Sequence, residues 1–203
     1  MIRSLASGQK AALIVNECQV GILDPQYAMF PALAQQAQER GIVRHIASLI
    51  DAFRTKGWPV IFTPAVLRHD MADKMVNTLI SALSAKTGSM LAGNVQVRHM
   101  PGLEPTAADF EIQRGSGLIA FHGTTLDLTL RRLKVETVVV TGVSTNVAVP
   151  GLVMAATDHG YHAVVPEDCI AGSDAVTHRV IVEQQLRMLA TIATKDEVIA
   201  ALR

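Results

Sequence analysis

Residues 135–161, VETVVVTGVSTNVAVPGLVMAATDHGY, read as a buried strand, a tight turn and a helix, and this reading decides the fold. Thr137 to Thr141 is a β-branched run too short for a typical helix and closed by Gly142, which suits a strand covered on both faces of a parallel sheet. Ser144, Thr145 and Asn146 are capping-type side chains. Pro150 is tolerated only in a helix's first turn, where backbone donors lack intrahelical partners, so a helix is predicted to start here. Its apolar face, Leu152, Val153, Ala155 and Ala156, runs to an Asp158-His159-Gly160 stop. A donor-rich helix N-terminus therefore falls at the carboxyl end of a central strand, where open α/β sheets bind ligands.

The same alternation extends in both directions. Upstream, Ala11 to Val15 is an apolar run ending in Asn16-Glu17-Cys18-Gln19, a buried strand whose end is polar. Gly21 to Pro31 carries turn chemistry and is expected to form a loop over the site. Ile42, Ile46, Leu49, Ile50 and Phe53 make one face of a helix predicted over 32–56, with Gly57 as terminator. Trp58 to Thr63 is a second strand, stopped by Pro64. An amphipathic helix is predicted over 70–85 through Met71, Met75, Leu79 and Leu83, and a short strand over 94–98. Asp109 to Arg114 alternates as a third strand, broken by Gly115-Ser116-Gly117, and a helix follows over 124–133. Downstream come a strand over 162–165 and a helix over 174–189 on Val176, Val180, Leu186 and Leu189. A strand over 190–194 and a helix over 195–202 close the chain. Strands alternating with helices mean a parallel sheet covered on both faces.

Composition narrows the function. The 203 residues suffice for one domain with a large core, and 49% hydrophobic content opposes disorder. Eighteen basic and eighteen acidic residues cancel, and no Lys/Arg run occurs, so no footprint for nucleic acid or an anionic membrane is present. No apolar run reaches the roughly 20 residues a membrane span needs. The start MIRSLASGQK has no signal-peptide core, and a cytoplasmic location is expected. Cys18 and Cys169 are too few for a disulfide scaffold and lack metal-type spacing, so buried free thiols are the default. His69 and His99 are isolated, and no metal is expected. Residues 140–145, VTGVST, do not match G-x-G-x-x-G and follow the fourth strand rather than the first, so no dinucleotide or other cofactor is expected. The partner expected is a small molecule or another copy of the chain, the Met-rich segment 66–90 being a candidate subunit contact.

Three strand ends converge on paper: Glu17 after the first, Arg114 after the third, and the turn Ser144-Thr145-Asn146-Val147-Ala148 after the fourth. Ala-Leu-Ile-Val-Asn-Glu-Cys-Gln (12–19), Ala-Phe-His-Gly-Thr-Thr-Leu-Asp (120–127) and Thr-Gly-Val-Ser-Thr-Asn-Val-Ala-Val (141–149), with Gly160-Tyr161 and Glu167-Asp168 downstream, agree in type, order and spacing. In this order the chain resembles the isochorismatase-like hydrolase superfamily over most of 11–194. Residues and resemblance together lead to a single domain over 1–203. It is a three-layer α/β/α fold with a mostly parallel, Rossmann-like sheet of about six strands in the order 3-2-1-4-5-6.

The superfamily's cysteine hydrolases use an aspartate, a lysine and a cysteine at the helix N-terminus, where a thiolate is favoured. The resemblance puts these roles on Glu17, on Arg114 with Gln113 as the competing alignment, and on Ala148, so all three positions differ. Alanine offers no nucleophile, and a thioester mechanism is not inherited. Cys18 adjoins Glu17 but points to the opposite face of an extended strand, and Cys169 is expected to pack. Ser144 and Thr145 lie nearer the right place, yet no histidine is visibly paired with them in the sequence, and a turn cap is a sufficient role.

The superfamily's isochorismatases also lack the cysteine and are thought to use the aspartate as an acid. Glu17 can take that part if burial raises its pKa. Arg114 opposes this while offering a bidentate clamp for a substrate carboxylate. Asn146 and the backbone donors near Val147 and Ala148 complete an anion-binding candidate. In the family this turn supplies an oxyanion hole and can contain a cis peptide, here near Val143-Ser144. Two readings stay open: a hydrolase of a small carboxylated or carbonyl-containing molecule using Glu17 and Arg114, or a non-catalytic binding or scaffolding oligomer in which the pair is structural.

Overall fold

The computed structural model describes residues 2–5 and 9–202. Strands β1 (Ala11–Asn16), β2 (Val60–Thr63), β3 (Phe110–Glu111), β4 (Thr137–Val143), β5 (His162–Pro166), β6 (Ile170–Ala171) and β7 (Thr191–Ala193) form one parallel sheet. Its order is β3-β2-β1-β4-β5-β7, with β6 paired to the end of β4. This is the expected 3-2-1-4-5 arrangement; the short β6 makes the final strand the seventh.

Every residue of β1 and β4 is buried, because the sheet is covered on both faces. The period of two splits each apolar run between them. Leu13 and Val15 pack with Val139 and Val143 under Ile46, Leu49 and Phe53 of α3 (Ile42–Lys56). Ala12 and Ile14 pack with Val138 and Val140 under α5 (Leu126–Arg132) and α6 (Ala148–Asp158), through Leu126, Leu130, Leu152 and Val153. Each fully buried side chain of this size contributes about 2 kcal/mol. The hydroxyl of Thr141 is satisfied by donating to Ile14 O at 2.8 Å, so a polar residue inside β4 costs little.

Several sequence expectations are corrected. The loop expected over 21–31 begins as a short helix, α1 (Val20–Leu23). The helix expected over 32–56 is two, α2 (Pro31–Glu39) and α3, because Gly41 adopts a left-handed φ of 64° between them. Only α4 (Leu79–Thr87) forms within 70–85: Met71 has φ 53°, and a Thr78–Ser81 capping box starts the helix late. The intended apolar stripe is not inward, since Met75 and Leu79 are 70% and 83% exposed. Residues 95–97 form a 3₁₀ turn rather than a strand, and Val97 O accepts from Gln19 instead of a neighbouring strand.

The expected strand 109–114 keeps only Phe110–Glu111 in regular register with β2, since Pro64 has no N–H to continue the ladder. Over 174–189, α7 (Ala175–Ile181) passes through a π-helical stretch, Val182–Leu186, into α8 (Arg187–Leu189). That helix buries His178, Val182 and Leu186, while Val176 and Val180 face outward. Helix α9 (Lys195–Ala201) ends the chain behind a Thr194–Glu197 capping box. No helix among the described residues is long and apolar enough to cross a membrane.

Candidate active site

The carboxyl ends of β1, β2 and β4 are clamped together by one buried side chain. Asn16 Nδ2 donates to Val143 O at 2.6 Å, and its Oδ1 accepts from Thr63 Oγ1 at 3.0 Å. The strands approach so closely that a Cβ on Gly142 would lie 2.0 Å from Asn16 O, and Gly142 has φ 96°, so only glycine fits. The next peptide bond, Val143–Ser144, is cis, at the place the resemblance indicates.

Leaving the strand, Glu17 takes φ 53°. Its carboxylate accepts from Arg114 Nη2, and Arg114 Nη1 donates to Leu118 O at 3.2 Å. Arg114 is held on the same sheet end by its backbone: Arg114 N donates to Pro64 O at 2.9 Å, and Val66 N donates to Arg114 O at 2.9 Å. The Arg114 side chain is 5% exposed and that of Glu17 15%. Gln113 points away; it is exposed and donates to Glu111 Oε1 at 2.9 Å. Arg114, not Gln113, thus faces Glu17. Gln19 is a structural clamp, giving Nε2 to Ala65 O and Val97 O and accepting from Ala65 N.

The turn after β4 departs from the expected cap. Helix α6 starts at Ala148 with Val147 as its N-cap and no side-chain cap. Asn146 instead accepts from Ser173 N at 2.8 Å, because its Oδ1 reaches across to the segment after β6. Thr145 is paired with a histidine that the sequence did not reveal: Thr145 Oγ1 lies 3.0 Å from His178 Nδ1, with both residues buried. Val147 N and Val149 N both donate to Ser144 O, and Thr145 N donates to Ala171 O. The N–H groups of Asn146 and Ala148 have no acceptor among the described residues. Unpaired donors at a helix start are an anion site in form. The partly exposed Ser144 supplies a carbonyl to the turn, and the Val147 side chain is exposed beside it.

Neither cysteine joins this group. Cys18 and Cys169 both pack in the α3-side core, Cys169 from the end of the turn that joins β5 to β6. Burial pushes both thiols well above the ordinary range, with the Glu17 charge adding to it at Cys18 and the Asp168 charge at Cys169. His99 is hydrogen-bonded, its Nε2 2.6 Å from Glu111 Oε2. Among the described residues no three His, Cys, Asp or Glu side chains converge as a metal site would require.

The isochorismatase domain model matches residues 11–197. The chain is 29% identical over 197 residues to the uncharacterized isochorismatase family protein YecD of Escherichia coli O157:H7, covering 97% of this chain and 98% of the relative. Among solved structures it is similar to a cysteine hydrolase from Pseudomonas syringae pv. phaseolicola 1448A, with a TM-score of 0.86, 21% identity and coverage of 100% and 96%. It is also similar to an isochorismatase family protein from Desulfovibrio vulgaris subsp. vulgaris str. Hildenborough, with a TM-score of 0.83, 24% identity and coverage of 95% and 100%.

Proposed function

The chain belongs to the isochorismatase family, and on that premise we propose that it hydrolyses a small carbonyl-containing or carboxylated molecule without a covalent cysteine intermediate. The observation that carries this reading is the Glu17–Arg114 pair, in which Arg114 is sealed and Glu17 keeps access to solvent at the end of β1. Glu17 is the acid/base of the reaction. It draws a proton from the water that attacks the carbonyl carbon and returns it to the leaving nitrogen or oxygen as the tetrahedral intermediate breaks its C–N or C–O bond, so the carboxylate is regenerated. Arg114 orients Glu17, and its buried charge favours a negatively charged substrate group at the rim without touching it. Asn146 and Ala148 N–H receive the oxygen on which negative charge develops, while Ser144, Thr145 and Val147 hold the turn that presents them. No side chain at position 148 is needed for this, which is how Ala148 is accommodated.

One observation favours a second reading. Arg114 spends both terminal nitrogens, one on Glu17 and one on Leu118 O, as a structural cross-link would. In that reading the fold is kept as a binding or scaffolding oligomer, and the exposed Met75, Val76 and Leu79 are its contact surface. Purified protein assayed against small amides and esters separates the two: turnover that disappears in Glu17→Gln supports the hydrolase, and turnover that Glu17→Gln and Arg114→Ala both leave unchanged overturns it.

A further inference from the structure

Resting on the reading of the turn as an anion holder, we propose that His178 is a positioning residue: through Thr145 it fixes the turn that leaves the Asn146 and Ala148 N–H groups free. His178 is placed for this by the start of α7, where Asp174 accepts from Thr177 N at 2.8 Å and His178 N donates to Asp174 O at 3.0 Å. Its ring then lies against the turn, Nδ1 3.0 Å from the Thr145 hydroxyl. Burial first, and the Arg40 charge second, push the imidazole down to about 4, so it is neutral near pH 7. A neutral ring matches the hydroxyl in either tautomer, as donor or as acceptor.

The other ties of the turn run to the same stretch. Thr145 N donates to Ala171 O at 2.8 Å, and Ser173 N donates to Asn146 Oδ1 at 2.8 Å. Between them Gly172 approaches so closely that a Cβ would lie 2.7 Å from Asn146 Oδ1 and 3.5 Å from the Thr145 and His178 Cβ atoms. Residues 171–178 therefore act as a template on which residues 144–148 are laid. No side chain caps the first N–H groups of α6, so the turn is held from residues 171–178 rather than from within the helix. Simple space-filling would be met by two apolar side chains; burying a hydroxyl and an imidazole has a desolvation cost that only their mutual hydrogen bond offsets.

The test uses the full chain and amide hydrogen exchange resolved by residue. In His178→Ala the Thr145 N–H is expected to exchange about tenfold or more faster, with β1 amides unchanged. His178→Asn, which keeps a polar atom near Nδ1, restores protection, and Thr145→Ser behaves as wild type. Thr145→Val, which keeps the shape and removes the hydroxyl, repeats the loss, so the proposal stays testable if His178→Ala fails to fold. Unchanged protection of Thr145 in Thr145→Val, or a uniform loss that His178→Asn does not repair, overturns it. Titration with acetate separates this from the proposed function. If the wild-type Asn146 and Ala148 amide resonances do not shift, the anion-holding reading fails, while the exchange rates still decide whether His178 fixes the turn.

Discussion

Arg114 donates to the Glu17 carboxylate across 97 positions of sequence, and the two side chains differ in exposure, 5% against 15%. The cation is sealed in and the anion is left at the rim. Removing the anion leaves the sealed guanidinium without its counter-charge, so Glu17→Gln is expected to cost about 3 kcal/mol of stability. Arg114→Met, which leaves the carboxylate at the rim where water reaches it, is expected to cost about 1 kcal/mol. The double variant should lose less than the sum by about 1 kcal/mol or more in urea unfolding, and strict additivity would show that the pair contributes no coupling.

Gly142 is the tightest point of the sheet end. With φ 96° and a Cβ position 2.0 Å from Asn16 O, Gly142→Ala must push β1 and β4 apart. A loss of about 3 kcal/mol or more is expected, seen as a large fall in thermal midpoint. A shift within about 2 °C of wild type would contradict the close packing.

The thiols should be silent. With Cys18 and Cys169 both buried and their thiols pushed upward by burial, the native protein is expected to resist alkylation by iodoacetamide at pH 7.5 or so, and both residues should label in urea. Rapid labelling of either in the folded protein would reopen the question of a cysteine nucleophile.

His178 sets a pH window. Its folded value, about 4, lies below the ordinary 6.5, so the unfolded chain binds a proton that the folded chain refuses. The stability it confers is complete above about pH 6.5, declines as pH falls toward 4, and is lost below that. Arg40, whose guanidinium donates to Ile170 O and Glu167 O, reinforces the refusal. Comparing unfolding free energies at pH 7 and pH 4, His178→Asn should lack about 2 kcal/mol of the wild type's decline. Equal declines in both proteins would mean that His178 titrates in the folded state as it does in the unfolded one.

Much of the fold was legible because burial on both faces leaves an unmistakable trace. Ala11–Val15 and Thr137–Thr141 carry no polar interruption other than threonine, and Gly142 and Pro150 mark where strand ends and helix begins. What escaped depends on contacts that no local spacing encodes. Gly41 splits a helix whose apolar period continues across it, and Pro64 shortens a strand on a different element, β3, through the hydrogen bond it cannot donate. Met75 and Leu79 have helical spacing with nothing to pack on. At the site, Glu17, Arg114 and the turn were readable as strand ends. That Arg114 rather than Gln113 lies beside Glu17 follows from burial, which the local sequence does not encode. The Thr145–His178 contact spans 33 positions, and a single histidine on a helix gives no sign of which turn it meets.

The hydrolase account turns on Glu17 doing the chemistry while both cysteines stand aside. The direct measurement is kcat/KM on any amide or ester that the wild type turns over, compared in Glu17→Gln and in a Cys18→Ser, Cys169→Ser double variant. A fall of about 100-fold or more is expected in Glu17→Gln and a rate near wild type in the double variant. Turnover that survives Glu17→Gln, or vanishes with the cysteines, contradicts it.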